Sequence, residues 1–368
     1  SQQGMFIVGG TLADRLGYKP LIVAGCLLRT AGFGLLVFAH SLPAVLIASA
    51  ATGFAGALFN PAVRAYLGGN VGAYLAADAG ERRVEAFALF NVFYQAGILA
   101  GPLVGLAFMA VDFRLTAACA AAVFAVLTIA QLFALPQHDS EPTRDKTSVL
   151  QDWRTVVSNR SFLLFAVAMI GSYVLTFQVY LAMPLHAAVL ASQHSSALIA
   201  AMFAVSGVVA VSAQLRITRW FSHRWGTSRC LVIGMTVVAL SFVPLILLPD
   251  NRFGAVAAIG ALLLSTALLA IGSAAVFPFE MDTVVALSGG RLVGTHYGFY
   301  STIVGVGILA GNVAVGALVQ AAPEHGAGTL VWGALTGIGL CCAAALRALA
   351  HNGHLQHDAD RQEVNAAR

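Results

Sequence analysis

Ten long apolar stretches constrain this chain more than any other feature of its sequence. Each covers about 20 residues or more, the length that a helix needs to cross roughly 30 Å of hydrocarbon. Only 10% of the residues are charged and the mean hydropathy is +0.83, whereas soluble domains carry about 25% charged residues. The sequence therefore predicts an all-α polytopic membrane protein that resides in a lipid bilayer. We place its spans at 20–39, 42–63, 86–110, 115–135, 161–183, 197–215, 230–249, 253–277, 298–321 and 328–350, with 4–12 as the end of another.

Two sequence matches at nearly one spacing indicate an internal repeat. The run Gly-Ile-Leu-Ala-Gly at 97–101 recurs at 307–311, which is 210 positions later. Arg15-Leu16-Gly17 lines up with Arg224-Trp225-Gly226 at a spacing of 209, and an apolar run follows each. Two matches at one spacing indicate two homologous halves. We therefore predict an N-terminal bundle at 1–135, a linker at 136–160, a C-terminal bundle at 161–350 and a tail at 351–368.

The repeat also predicts residues ahead of Ser1. Position 1 corresponds to about position 210 of the second half, which begins near Ser161. By this symmetry roughly 50 residues precede the chain, and they would hold the first span and most of the second. The intact protein would then have two pseudo-symmetric six-helix bundles.

The distribution of basic residues predicts an orientation. If the loop at 13–19 faces the cytoplasm, that side carries 17 of the 20 Lys and Arg residues. Because positive charge accumulates in cytoplasmic loops, both ends of the intact chain are expected to be cytoplasmic. The same bias explains the net charge of +4, so this charge gives no reason to expect a nucleic-acid partner.

The short loop after residue 12 carries the first family signal. The string at 10–20 reads Gly-Thr-Leu-Ala-Asp-Arg-Leu-Gly-Tyr-Lys-Pro, and its second glycine suits a tight turn between two spans. The string resembles the cytoplasmic loop signature of the major facilitator superfamily and departs from it at Tyr18. The resemblance implies the major facilitator fold and a gating role for the Asp, which latches the two halves together when the cytoplasmic side is closed; the basic residues also act as topology anchors. The residues assigned to this gating loop are Gly10, Asp14, Arg15, Gly17 and Lys19. In the second half, His223 stands where the Asp would be.

A second motif points to a subgroup of this superfamily. Gly97-x-x-x-Gly101-Pro102-x-x-Gly105 resembles the fifth-span signature of the drug:proton antiporters and departs from it at Leu106. On a helix these glycines form a groove for a neighbouring backbone, and the proline favours a bend. The resemblance implies an exporter of the bacterial inner membrane. Many proton antiporters of the superfamily carry an Arg where Ser49 stands here, which leaves the coupling ion open.

Polar and aromatic residues within the spans are candidates for a substrate cavity. Tyr173, Phe177 and Tyr180 have the i, i+4, i+7 spacing of one helix face, and such a stripe suits a flat, apolar or cationic guest. Packing in a core or hydrogen bonding between helices would explain the same residues. The cavity candidates are Asn91, Tyr94, Gln95, Tyr173, Thr176, Phe177, Gln178, Tyr180, Tyr300 and Asn312.

Four ionisable residues are candidates for ion coupling. Arg29 lies inside a span, where an unpaired cation costs at least about 2.5 kcal/mol, and either snorkelling or coupling would account for it. Glu280 and Asp282 lie near the predicted cytoplasmic mouth, where they would pair with basic groups or be hydrated. His296 titrates in the physiological range but would also suit an interface.

These observations favour a proton-driven exporter of small amphipathic compounds that works by alternating access as a monomer. The rival hypothesis is a nutrient or metabolite symporter or uniporter of the same superfamily, which the serine at position 49 and the absence of a carboxylate deep in the ten spans favour. No cluster of catalytic residues at one depth supports an enzyme, and we expect neither a cofactor nor a metal.

Overall fold

The computed structural model describes residues 5–73, 79–109, 112–135, 148–191, 193–321 and 328–355. Every regular element in these ranges is helical. Before residue 160 the helices are α1 (Phe6–Leu16), α2 (Tyr18–Val37), α3 (Leu42–Ala73), α4 (Ala79–Met109), α5 (Phe113–Ala134) and α6 (Val149–Ser158). From residue 160 they are α7 (Arg160–Thr176), α8 (Ala182–Leu190), α9 (Ser195–Arg224), α10 (Thr227–Leu240), α11 (Val243–Leu247), α12 (Asp250–Phe253), α13 (Ala255–Ser288), α14 (Val293–Ala321) and α15 (Gly328–His351).

Ten helical stretches in the described part of the chain are long and apolar enough to cross a membrane. This number confirms the ten spans predicted from the sequence. Their surfaces carry large exposed apolar side chains such as Phe133 (86% exposed) and Val256 (85% exposed). In a bilayer these side chains face lipid, so their exposure agrees with a membrane-embedded chain.

One predicted span differs from a single continuous helix. The stretch at 160–190 consists of α7, a short 3₁₀ turn at Phe177–Val179 and then α8. Pro184 lies in the first turn of α8. A proline fits there because the N–H groups of a helix's first turn have no acceptor within the helix, so no hydrogen bond is lost. The aromatic stripe predicted for this span therefore runs across a break in the helix.

The described residues form two compact units, and several long helices contribute to both. The first unit, called here unit 1, comprises 1–76, 100–163 and 284–305. Within it, α2 packs against α3 and α5, and α1 packs against α3. Its core between α1, α2 and α3 holds Ala13, Leu21, Ile22 and Ala62.

The second unit, called here unit 2, comprises 77–99, 164–283 and 306–368. Within it, α10 packs against α15 and α8 against α9. Small residues allow these helices to approach closely: a Cβ at Gly339 would overlap the side chain of Ala239. The division into two six-helix bundles stays a prediction, because each compact unit draws segments from both sides of the linker.

Candidate functional site

The first candidate site is a carboxylate in unit 1 that caps a helix distant in sequence. Asp14 lies in the last turn of α1, and Gly17, with a φ of 89°, makes the turn into α2. One Asp14 oxygen accepts from the backbone N–H of Gly294 at 2.9 Å, and the other accepts from the Thr295 N–H and hydroxyl, both at 2.7 Å. The two amides belong to the first turn of α14, where helix N–H groups lack internal partners and favour an anion.

The residues before α14 explain why this helix uses a distant cap. The turn contains Gly289 and Gly290, both with positive φ, and Leu292, whose φ of 53° is unusual for a bulky residue. None of the residues at 289–292 is a Ser, Thr, Asp or Asn, the types that normally cap a helix through their own side chains. Asp14 supplies that missing acceptor from α1. We call the Asp14 contact with Gly294 and Thr295 the clasp.

Glycines bring α1 and α14 together beside the clasp. A Cβ on Gly10 would overlap the Gly294 carbonyl, and one on Gly298 would overlap the Phe6 carbonyl and crowd the Cα of Ile7. Both obstacles are backbone atoms, so α1 and α14 touch main chain against main chain. The predicted gating residue Gly10 therefore lies in the helix contact that adjoins the clasp.

The linker helix α6 is joined to the same end of α1. Arg15 pairs with the buried Asp152 at 2.8 Å, and the Trp153 indole N–H donates to the Thr11 hydroxyl at 2.8 Å. Lys19 donates to the carbonyl of Leu135 at 2.6 Å, next to the C-terminus of α5, where a cation is favoured by the helix dipole. The basic residues of the predicted gating loop thus hold α5 and α6, in addition to any role as topology anchors.

Arg29 contacts two aromatic rings within unit 1. Its guanidinium carbon lies 5.4 Å from the ring centroid of Phe59 and 5.3 Å from that of Phe124. These distances fit cation–π contacts, which offset part of the free energy of placing a cation in a span. The aromatic partners give Arg29 a structural explanation that the sequence analysis did not include.

The second candidate site is a pair of carboxylates on α13 in unit 2. Asp282 is 6% exposed and forms an ion pair with Arg83 of α4 at 2.8 Å. Glu280 is 2% exposed and accepts a hydrogen bond from the Tyr173 hydroxyl of α7 at 2.6 Å. Both carboxylates are therefore buried in the structure rather than hydrated, and Asp282 pairs with a basic group, Arg83, on another helix.

A chain of amide hydrogen bonds lies next to these carboxylates. The Asn91 amide of α4 donates to Gln214 Oε1 of α9 at 2.8 Å, and Gln214 Nε2 donates to the carbonyl of Ala274 of α13 at 2.8 Å. Gln214 is fully buried and Asn91 is 9% exposed. Asn91 was among the cavity candidates predicted from the sequence and Gln214 was not, although a glutamine at the end of an apolar run signals the need for a hydrogen-bond partner.

The predicted cavity residues occupy varied surroundings within the two units. Gln178 is fully buried, with Nε2 donating to the carbonyl of Val174 at 2.7 Å and to Asn312 Oδ1 at 3.3 Å. Tyr300 is also fully buried. Tyr94 and Tyr180 are 58% and 50% exposed, respectively, while the remaining candidates Gln95, Thr176 and Phe177 are half-buried. Cavity lining thus stays a prediction for this set.

His296 lies in the first turn of α14, close in sequence to the clasp. It is 3% exposed, its Nδ1 lies 2.8 Å from the Leu292 carbonyl, and its ring meets Phe162 edge-on at 4.9 Å. The side chain is therefore packed inside unit 1. A role in ion coupling stays a prediction.

The two copies of Gly-Ile-Leu-Ala-Gly differ in their packing. A Cβ on Gly97 or Gly101 would meet no other atom of the described residues within 4 Å. In the second copy, a Cβ on Gly307 would overlap Ile170, and one on Gly311 would crowd Val174. The close packing predicted for the first copy is thus absent at these two glycines, while the second copy packs on α7. Helix α4 continues through Pro102 and Gly105, whose side-chain surroundings lie outside the described part of the structure.

Comparisons with known proteins agree on one family. The family model described as Major Facilitator Superfamily matches residues 4–311. An uncharacterized MFS-type transporter of Mycobacterium tuberculosis (strain ATCC 25618 / H37Rv) is 63% identical over 350 residues, which cover 95% of this chain and 82% of the relative. The multidrug resistance protein MdtH of Salmonella arizonae is 28% identical over 345 residues, which cover 94% of this chain and 81% of the relative.

Solved structures support the same fold. The human organic anion transporter MFSD10 matches with a TM-score of 0.66 at 15% identity, over 94% of this chain and 80% of that one. The fucose:proton symporter FucP of E. coli matches with a TM-score of 0.68 at 14% identity, over 94% of this chain and 88% of that one. At these identities the likeness concerns the fold alone.

Proposed function

The chain belongs to the Major Facilitator Superfamily and is a multi-pass membrane transporter rather than an enzyme, and from this premise we propose that it exports small amphipathic compounds in exchange for protons. The likeness to MdtH, whose name describes multidrug resistance, supports this substrate class. The protein would act in the bacterial inner membrane, with the clasp on the cytoplasmic side. Asp14 would then hold that side closed during part of the transport cycle.

Buried carboxylates on a span are the observation that carries this proposal. An ionisable residue inside a membrane is costly and is usually retained for function. Glu280 is 2% exposed and contacts the Tyr173 hydroxyl. A carboxylic acid in this position can bind and release a proton, so Glu280 is the proposed proton carrier.

Asp282 would have a different role from Glu280. Its ion pair with Arg83 stabilises its charged form and joins α13 to α4. A buried pair of this kind is costly to separate, because each partner would leave an unpaired charge. Asp282 would therefore hold α4 and α13 together, and Glu280 would carry the proton.

A nutrient symporter or uniporter of the same family is the second candidate function. The serine at position 49, where many proton antiporters of the superfamily have an Arg, favours it. The two functions differ in how a pH gradient drives transport. Antiport moves the substrate against the direction of proton flow, symport moves both together, and uniport does not respond to the gradient.

Ethidium transport in proteoliposomes tests the proposal. The purified protein is reconstituted with a high internal proton concentration, and equal potassium with valinomycin holds the membrane potential at zero. We expect ethidium to accumulate inside the vesicles while protons leave, and reversal of the gradient to abolish accumulation. Accumulation only with an acidic exterior would indicate symport, and equilibration without accumulation under either gradient would indicate uniport.

Two matched variants connect the assay to Glu280. Glu280→Gln keeps the size of the side chain and removes its titration, so gradient-driven accumulation should fall to the level of protein-free vesicles. Glu85→Gln changes an exposed carboxylate, 40% accessible at its side chain, and should leave accumulation unchanged. Wild-type accumulation in Glu280→Gln would exclude Glu280 as the proton carrier.

A further inference from the structure

Pro278 lies inside helix α13 and leaves one backbone carbonyl without its usual donor. A proline has no N–H, so the carbonyl four residues earlier loses its helical hydrogen bond. That carbonyl belongs to Ala274. Gln214 Nε2 of α9 donates to it at 2.8 Å, so a side chain from another helix supplies the bond that Pro278 omits.

The amide of Gln214 is fixed from both sides. Its Nε2 must face the Ala274 carbonyl, because a carbonyl only accepts, and this orientation leaves Oε1 to accept from Asn91 of α4 at 2.8 Å. Thr218 of α9 provides a further contact with Nε2 at 3.2 Å. Gln214 therefore joins α4, α9 and α13 through one fully buried amide.

The proposed proton carrier lies immediately beyond this junction. Glu280 follows Pro278 by two residues and Asp282 by four. The titratable and charged side chains that contact this segment include Tyr173 of α7 and Arg83 of α4. A proline allows a helix to bend. The hydrogen bond from Gln214 to Ala274 holds the turn of α13 that precedes Pro278 and so restricts this bend.

We propose that Gln214 is a positioning residue for the carboxylates of α13. By replacing the hydrogen bond lost at Pro278, it sets the position of the following turn and thus holds Glu280 against Tyr173. Gln214 itself carries no proton. This inference depends on the proposed function only where it assigns the proton to Glu280.

A double-mutant cycle with Pro278 tests the inference. Gln214→Met keeps the length of the side chain and removes its hydrogen bonds to Ala274, Asn91 and Thr218, so we expect a lower ethidium transport rate and a shift in the pH at which that rate is half maximal. Pro278→Ala restores the backbone N–H that bonds Ala274. In the Pro278→Ala background, Gln214→Met should therefore cause a much smaller shift than in the wild type.

Two further variants keep the test informative. Ser265→Ala changes another buried side chain of α13 away from the junction and should not shift the pH profile. Asn91→Leu removes only the donor to Gln214 Oε1 and should shift it in the same direction as Gln214→Met. If Gln214→Met folds poorly by itself, recovery of the folded yield with Pro278→Ala would support the inference.

Distinct results would overturn the two proposals. Equal effects of Gln214→Met in both backgrounds, or an unchanged pH profile in a variant that still transports, would overturn the role of Gln214. If the wild type shows no gradient-driven transport, the proposed function fails. The cycle is then measured from the midpoints of thermal unfolding of the solubilised protein, where additive effects of Gln214→Met and Pro278→Ala would overturn the bond replacement itself.

Discussion

Two helix contacts use the same elements of the sequence repeat in different ways. In unit 1, α1 ends at Leu16, just before the Gly17 of the repeat, and packs on α14, which carries the second Gly-Ile-Leu-Ala-Gly. In unit 2, α9 ends just before the matching Trp225-Gly226 and packs on α4, which carries the first copy. Each contact therefore joins a helix from one half of the repeat to a helix from the other half.

Beside the clasp, α1 and α14 touch through main-chain atoms, whereas α4 and α9 touch through side chains. Gly10 and Gly298 admit backbone atoms directly. In the second contact, Gly207 faces the Leu99 side chain, Asn91 bonds Gln214, and Glu85 pairs with Arg219. Side chains can change rotamer while backbone atoms cannot, so the second contact should tolerate an added methyl group better than the first.

The charged ends of the two contacts differ as well. In unit 1 an acid on α1 binds the backbone amides of α14. In unit 2 the repeat places His223 where that acid would be, and a base on α9, Arg219, meets an acid on α4, Glu85. The first contact therefore ends in a carboxylate bound to backbone amides, whereas the second ends in a pair of oppositely charged side chains.

The largest expected effect comes from a methyl group at Gly298. Its Cβ would lie 2.5 Å from the Phe6 carbonyl oxygen and 2.9 Å from the Ile7 Cα, and neither atom can move without separating the helices. We expect Gly298→Ala to destabilise the α1–α14 contact by about 3 kcal/mol, the upper end of the range for overpacking. Thermal unfolding of the solubilised protein measures this loss.

Gly207→Ala is the matched variant in the α4–α9 contact. Its Cβ would meet the two terminal methyl carbons of Leu99 at 2.8 and 2.9 Å, which can rotate away, and the Leu99 Cβ at 3.1 Å, which requires only a small shift of the neighbouring helix. Alanine also gains about 0.5–1 kcal/mol over glycine within a helix, so the net change should be close to zero. Equal losses for Gly207→Ala and Gly298→Ala would contradict the distinction between the two contacts.

The second prediction concerns the clasp. Asp14→Asn replaces a carboxylate that accepts three hydrogen bonds from α14 by an amide that cannot accept on both sides. A hydrogen bond to a charged group contributes about 1.5–3 kcal/mol, so hydrogen exchange at the Gly294 and Thr295 amides should accelerate roughly 10- to 100-fold. Mass-spectrometric hydrogen exchange of peptides that cover the start of α14 measures the change.

Asp112→Asn provides the control for the clasp. Asp112 caps its own helix, α5, by accepting from the Arg114 N–H at 3.0 Å, and asparagine caps helices about as well as aspartate. This variant should leave the exchange of α14 unchanged. An unaltered α14 in Asp14→Asn as well would show that the clasp contributes nothing to the start of that helix.

The spans predicted from the sequence are confirmed, whereas the gating role of Asp14 stays a prediction, and the sequence did not predict which groups Asp14 binds. Apolar run length reports a membrane helix directly, and the loop at 10–20 carries a recognisable pattern of residue types. The partner amides at 294 and 295 lie 280 and 281 positions away. Backbone N–H groups are present at nearly every residue, so no side-chain pattern marks those that lack a partner.

Gln214 and Arg29 were hard to interpret for the same reason. Gln214 donates to the Ala274 carbonyl, which lacks its helical partner because Pro278 has no N–H. Only the packing of α9 on α13 brings this carbonyl and the Gln214 amide together. Arg29 was recognised as costly, but Phe59 and Phe124 lie on α3 and α5, and their rings are ordinary apolar residues in the sequence. Contacts between helices decide both cases.

The smallest expected effect is at the exposed pair that ends the α4–α9 contact. The Arg219 and Glu85 side chains are 59% and 40% accessible, with 2.8 Å between their charged atoms. Such surface pairs contribute about 0–1 kcal/mol and are screened by salt. Arg219→Gln should therefore lower the unfolding midpoint slightly at low ionic strength and leave it unchanged at high ionic strength, and the exchanged pair Arg219→Glu with Glu85→Arg should restore it. A loss that persists in high salt would mean that Arg219 holds α4 on α9 through fixed packing or hydrogen bonding rather than through screened charge, and the two contacts would then be more alike than their geometry indicates.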